Sequence, residues 1–204
     1  MNEIGGLNPW MSVWSHPRAT IRAIVNENSR YGFWVLATLY ALYLSFSTAN
    51  FYSWGLERSF SAVFFPLVVF SPLTGFVWLT FQAFLLKVAG RLLGGAAPYR
   101  HIRAATAWSR IPYVFALGMW LVLMISHRES AFVQQTGGPS TVFIMLISLI
   151  IHLWAIILLV QLVREVQKFS LSRTIANVVL SWVFSFVIFS IIAIIVRYIY
   201  INYF

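Results

Sequence analysis

Charged side chains are missing from five long stretches of the chain: between Arg30 and Glu57, Arg58 and Lys87, Arg110 and Arg128, Glu129 and Arg164, and Arg173 and Arg197. Leu, Ile, Val, Phe and Trp dominate all five. A bilayer hydrocarbon core about 30 Å thick takes runs of roughly 20 apolar residues, and the gaps predict spans at 31–50, 62–86, 111–126, 141–163 and 175–196. The third is short, ~24 Å at 1.5 Å per residue. Residues 104–109 are therefore expected to serve as an interfacial lead-in, with Arg110 snorkelling to the headgroups. Gly137, Gly138 and Pro139 make a turn into the fourth span. The pattern predicts an all-α polytopic membrane bundle of five transmembrane helices over residues 31–204, preceded by a segment, residues 1–30, with a short interfacial helix.

That segment has helical periodicity of its own. Trp10, Val13, Trp14, Pro17, Ile21, Ile24 and Val25 recur at three- and four-residue spacing, while Ser12, Arg18, Arg22 and Asn26 fall on other faces. Pro17 suits a first helical turn, which predicts a helix over residues 17–26. Two placements fit it. It can lie flat on the leaflet with Trp10 and Trp14 at headgroup level and both arginines in water, or it can pack on the end of the bundle.

Five spans sort the basic residues sharply. Arg18, Arg22, Arg30, Lys87, Arg91, Arg100, Arg103, Arg110, Arg164, Lys168 and Arg173 fall on one side, and only Arg58, Arg128 and Arg197 on the other. Short loops rich in Lys and Arg stay cytoplasmic, so the N-terminus is expected inside and the C-terminus outside. The formal net charge of +9 is thus a property of one face. It suits orientation and attraction to anionic lipid and gives no case for nucleic-acid binding.

At 60% hydrophobic and 9% charged, the chain has little polar chemistry to spare. There is no cysteine, which removes disulfides and thiol nucleophiles. There is no Asp, and none of the five Glu lies inside a predicted span, which argues against paired-carboxylate hydrolysis and intramembrane proton relays. His16, His101, His127 and His152 lack metal-ligand spacing. No cofactor or metal is called for. The residues before Tyr31 do not form a secretory signal, so the first helix is expected to stay in the mature protein.

Within the second span, Pro66, Pro72 and Gly75 predict a kink, with Ser71 and Thr74 near enough to satisfy freed carbonyls. Small residues such as Ser181 and Ser185 are expected to support helix association. The loop from Gly90 to Arg110 is the densest polar stretch. Its glycines suggest a flexible turn, but no phosphate-binding pattern follows. From Tyr99 it turns helical, with Arg100 and Arg103 one turn apart, Trp108 at the interface, Ser109 capping the third helix and Pro112 in its first turn.

The residues Ala105, Trp108, Ser109 and Pro112, with Ala107 and Ile111 between them, resemble the Ala-x-x-(Tyr/Trp)-Ser-x-x-Pro signature before the third membrane helix of the Yip family, named for interaction with Ypt/Rab GTPases. Trp14, Pro17 and Ile21 are similar to the pattern of its bacterial branch. The resemblance runs from about Trp10 to the end. It implies five helices, a cytoplasmic N-terminus and a non-enzymatic integral membrane protein; eukaryotic members act in vesicle traffic at Golgi and endoplasmic-reticulum membranes. The eukaryotic branch also carries an acidic Asp-Leu-Tyr-Gly-Pro motif, which this chain lacks, so Rab-type GTPase binding is not carried over. A bacterial inner-membrane member is the better match.

Two functions are consistent with this reading. One is a membrane-organising or adaptor protein whose Trp10, Trp14, Arg18, Arg22, Arg100 and Arg103 meet anionic lipids or a partner, and whose bundle associates with itself or with other membrane proteins. The other is a small permease or channel component, with the Pro72 break, Gln82, His152 and Gln161 lining a path.

Overall fold

The computed structural model describes residues 4–134 and 139–203. Gly137 and Gly138, expected to turn into the fourth span, lie outside them. The described residues form α1 (Pro9–Ser15), α2 (Pro17–Glu27), α3 (Phe33–Phe51), α4 (Phe60–Leu92), α5 (Tyr99–Trp108), α6 (Pro112–Ser126), α7 (Pro139–Gln167) and α8 (Leu171–Tyr203). Single 3-10 turns at Trp54–Leu56 and Arg128–Ser130 shape two of the connections.

Four stretches are long and apolar enough to cross a membrane: Phe60–Leu92, Tyr99–Ser126, Val142–Gln167 and Leu171–Asn202. The second of these joins α5 and α6, so residues 104–109 do precede the short third span, but buried in the bundle and not at an interface as expected. α3 is not among the four. Its 19 residues give ~28 Å, but Tyr40, Tyr43, Ser45, Ser47, Thr48 and Asn50 dilute its apolar character. α3 instead buries much of its surface, with Phe33, Leu36, Ala37, Tyr40, Tyr43 and Phe46 in the core, and packs chiefly on α4.

The α3–α4 seam is close because Gly75 allows it. A Cβ there would collide with the Ala37 carbonyl oxygen of α3, the kind of small-residue contact on which helices in lipid rely. α4 runs as one helix through Pro66 and Pro72. Pro72 cannot donate to the Val68 carbonyl, and the Ser71 hydroxyl donates to that oxygen at 2.8 Å. Thr74 donates to the Phe70 carbonyl at 3.1 Å. Ser71 thus satisfies the carbonyl that Pro72 frees, whereas Thr74 bonds a carbonyl that no proline has freed.

Two ends of the bundle are defined by ties between loops. At one, the Asn50 amide donates to the carbonyls of Ala131 and Val133 at 3.0 and 3.1 Å, and the Gly55 N–H donates to Phe132 at 3.0 Å. At the other, Gly90 and Gly95 of the α4 terminus sit against Gln167 of α7, with Asn177 of α8 beside Gly90. α2 is tied to α7 at that same end, and α5 closes it. The eleven basic residues grouped by sequence belong to segments that converge there.

Three expectations for the 90–110 region need correction. Gly90 is still inside α4, and the turn falls at Gly94 in a left-handed conformation. Trp108 is not at an interface but fully buried, because α5 turns Ile102 and Ala104–Trp108 into the core. Arg110 does not snorkel: it is 8% exposed and points into the bundle, where polar and aromatic partners hold it. The N-terminal segment also folds as two helices, since Pro9 and the Asn8 side chain, accepting from the Trp10 N–H at 3.1 Å, start α1 before Pro17 starts α2.

Candidate functional site at the basic end

The residues singled out from the sequence fall into three groups. The first is an aromatic joint between the N-terminal helices and α5. Trp108 lies 5.0 Å from the Trp10 ring and stacks on Tyr31 at 6.0 Å. Its indole N–H donates to the Tyr31 carbonyl at 3.1 Å. Gly32, left-handed at φ 70°, leaves the space the indole fills: a Cβ there would lie 2.8 Å from the Trp108 ring. Trp14 meets Phe115 edge to face at 5.2 Å. Val13, Ile21 and Ile24 are buried, so of the two placements the structure adopts the one packed on the bundle.

Ser109 and Pro112 complete that motif in a different way from the one expected. Ser109 closes α5, its hydroxyl donating to the Thr106 carbonyl at 2.7 Å, and Ile111 occupies the position before α6. The cap on the third helix is therefore absent, because the chain ends one helix at Ser109 before Pro112 begins the next.

The second group centres on a residue sequence reasoning passed over. Glu165 of α7 is 3% exposed and accepts from three cations: Arg18 at 3.0 Å, Arg22 at 2.9 Å and Lys168 at 2.7 Å. Arg18 and Arg22, one turn apart on α2, take one carboxylate oxygen each through Nε as well as Nη2, charge-assisted bonds that divide the carboxylate between them. Their outer faces remain open at 48% and 60% exposure. The i, i+4 pair of arginines was visible in the sequence; its partner lies about 145 positions away and was not.

The third group joins two of the proposed intramembrane residues. Gln82 accepts from Arg110 at 2.6 Å, and the guanidinium carbon sits 4.9 Å over the Tyr40 ring. Tyr40 meets Tyr113 at 4.9 Å, and Tyr113 meets His152 at 5.2 Å. Nδ1 of His152 faces the Ser148 carbonyl oxygen at 2.7 Å, which makes it the donating nitrogen. Gln82 and His152 thus end a single file through the bundle, and Gln161 stands outside it, further along α7. Tyr40, a polar-tipped aromatic inside a span, is the sequence signal that could have pointed to this file.

Of the remaining arginines, Arg103 places its guanidinium 4.6 Å over Phe33, whereas Arg100 is exposed. Arg30, Arg91 and Arg173 are also exposed at this end. Among the described residues, every carboxylate ion pair uses Glu165, so these four carry uncompensated charge. No group of His, Cys, Asp and Glu that could hold a metal occurs among the described residues.

An all-helical bundle with apolar spans and one strongly basic end is that of an integral membrane protein. The Yip1 domain model matches residues 11–194, and the chain belongs to the Yip1 domain family. Comparison with curated proteins and with solved structures gave no match.

Proposed function

We propose that this chain is a five-span, non-enzymatic protein of the bacterial-type branch of its family, residing in the inner membrane, that organises membrane or acts as an adaptor by holding anionic lipid headgroups at its basic end. The observation that carries this reading is the gathering of Arg30, Arg91, Arg100 and Arg173, exposed and without carboxylate partners, at the end where α2, α4, α5, α7 and α8 meet. Arg18 and Arg22 add only the faces that Glu165 leaves open, and Arg103 adds little because Phe33 covers it. Each basic residue near an anionic surface contributes about 1 kcal/mol. The Arg91→Gln, Arg100→Gln, Arg173→Gln variant should therefore lose most of its preference for anionic over neutral lipid, read by lipid retained through purification in mixed nanodiscs. Unchanged retention would sink the proposal. The exposed flanks of α7 and α8 leave room for association with copies of this chain or other membrane proteins.

The fifth span is α3, long enough at ~28 Å and packed along α4. With the N-terminus in the cytoplasm, a reporter inserted after Gly95 should be cytoplasmic and one fused after Phe204 external. Reporters on the same side would remove the five-span topology. The permease reading has less support: Gln82 is held by Arg110, His152 by the Ser148 carbonyl, and Gln161 lies outside their file.

A further inference from the structure

At the end opposite the basic face, α3, α6 and α7 enclose a cavity of about 390 Å³. Met119 and Leu123 of α6 and Met145 and Ile151 of α7 form its walls, Tyr43 closes its inner end, and Asn50, Ser130 and Gln134 stand at its polar rim. Phe51 and Ile144, which also line it, are largely exposed on the outer side of the bundle, so hydrocarbon can enter from the bilayer.

We infer that this cavity holds one acyl chain of a phospholipid, with its phosphate at the rim beside Arg128. Four features specify that occupant. The volume falls in the range of small-molecule sites. Among the described residues no charged side chain lines the cavity and its walls are mostly apolar, which suits an uncharged, largely apolar occupant. From Asn50 down to Tyr43 the cavity follows α3 for ~10 Å, parallel to the helices and hence to lipid chains, with Asn50, Ser130 and Gln134 at the headgroup end and the small hydroxyls of Ser47 and Ser148 along the wall. Arg128 opens the 3-10 turn that contributes Ser130 to the rim; its guanidinium rests 4.9 Å over Phe60 and, among the described residues, pairs with no carboxylate. Arg128 does not line the cavity, but it stands two residues from Ser130 of the rim, and a cation that near complements a phosphate held there. The two methionines suit this occupant, because an unbranched thioether adapts to a flexible chain.

This assignment rests on the bundle being embedded in a membrane and is independent of lipid binding at the basic end. The test uses the full chain in nanodiscs containing a phospholipid with a photoactivatable diazirine midway along one acyl chain, and maps adducts by peptide mass spectrometry. Adducts should concentrate on Met119, Leu123, Met145 and Ile151 over the lipid-facing Phe186 and Ile194 of α8. They should be lost from those four in Ala116→Phe and Ser148→Phe, each of which puts a ring into the cavity. Arg128→Gln should weaken labelling by the phospholipid probe. Adducts no denser in the cavity than on α8, or unchanged in both blocked variants, would overturn the site. Equal labelling by the diacylglycerol counterpart would overturn its assignment to a phospholipid. If a blocked variant fails to fold, the wild-type map decides alone.

Discussion

Replacing Trp108 by alanine should destabilise the protein by about 3–5 kcal/mol, the range for removing a large buried aromatic side chain. The indole is fully buried, contacts Trp10 and Tyr31, and donates the hydrogen bond that holds the Tyr31 carbonyl. Alanine would leave a void beneath two helices and strip that carbonyl of its partner. Thermal unfolding followed by monodispersity in detergent would measure the loss. Phenylalanine at the same position should recover part of the packing and none of the hydrogen bond, giving an intermediate midpoint. A Trp108→Ala protein as stable as the parent would show that the N-terminal helices are not seated on this ring.

The second large effect is an asymmetry around Glu165. In Glu165→Gln the side-chain volume is kept and Arg18 and Arg22, each about half exposed, turn back to water, so the cost should be about 1 kcal/mol. The double variant Arg18→Ala, Arg22→Ala does the reverse. It removes both guanidinium groups and the stems that cover the carboxylate, leaving only Lys168 beside it, and losing hydrogen bonds to a charged group costs about 3 kcal/mol. Hydrogen exchange along α2 is the readout: protection should fall modestly in the first variant and steeply in the second. Equal losses would mean that Glu165 is well solvated and that the pair does not hold α2 to α7.

Residues without charge in long runs made α7 and α8 legible from sequence, because only apolar side chains tolerate a hydrocarbon surround and nothing else in the chain mimics that signal. α5 was harder. Tyr99, Arg100, His101 and Arg103 mark it as polar, yet the face that decides its position is Ile102 with Ala104–Trp108, whose small side chains carry almost no hydropathy signal while allowing close packing on all sides. Arg110 misled for a related reason: a cation beside a span has two ways to avoid lipid, outward to headgroups or inward to Gln82 and Tyr40, and sequence spacing does not distinguish them. Glu165 was legible as a charge but not as a joint, since its partners come from the far end of the chain.

The continuous run of α4 through its prolines bears on how the protein fits membranes of different thickness. Its 33 residues make a rod of ~50 Å, against a hydrocarbon layer of about 30 Å. The surplus at the basic end does not meet lipid bare: Tyr99 of α5 donates to the Thr80 carbonyl at 2.8 Å, and Lys87 lies over the Tyr99 ring. α8 is equally long but packs chiefly on α4 and α7, and its outer half is exposed almost all round. Hydrophobic mismatch should therefore fall on α8, whose exposed outer half would meet it by tilting or by local change in the bilayer around it.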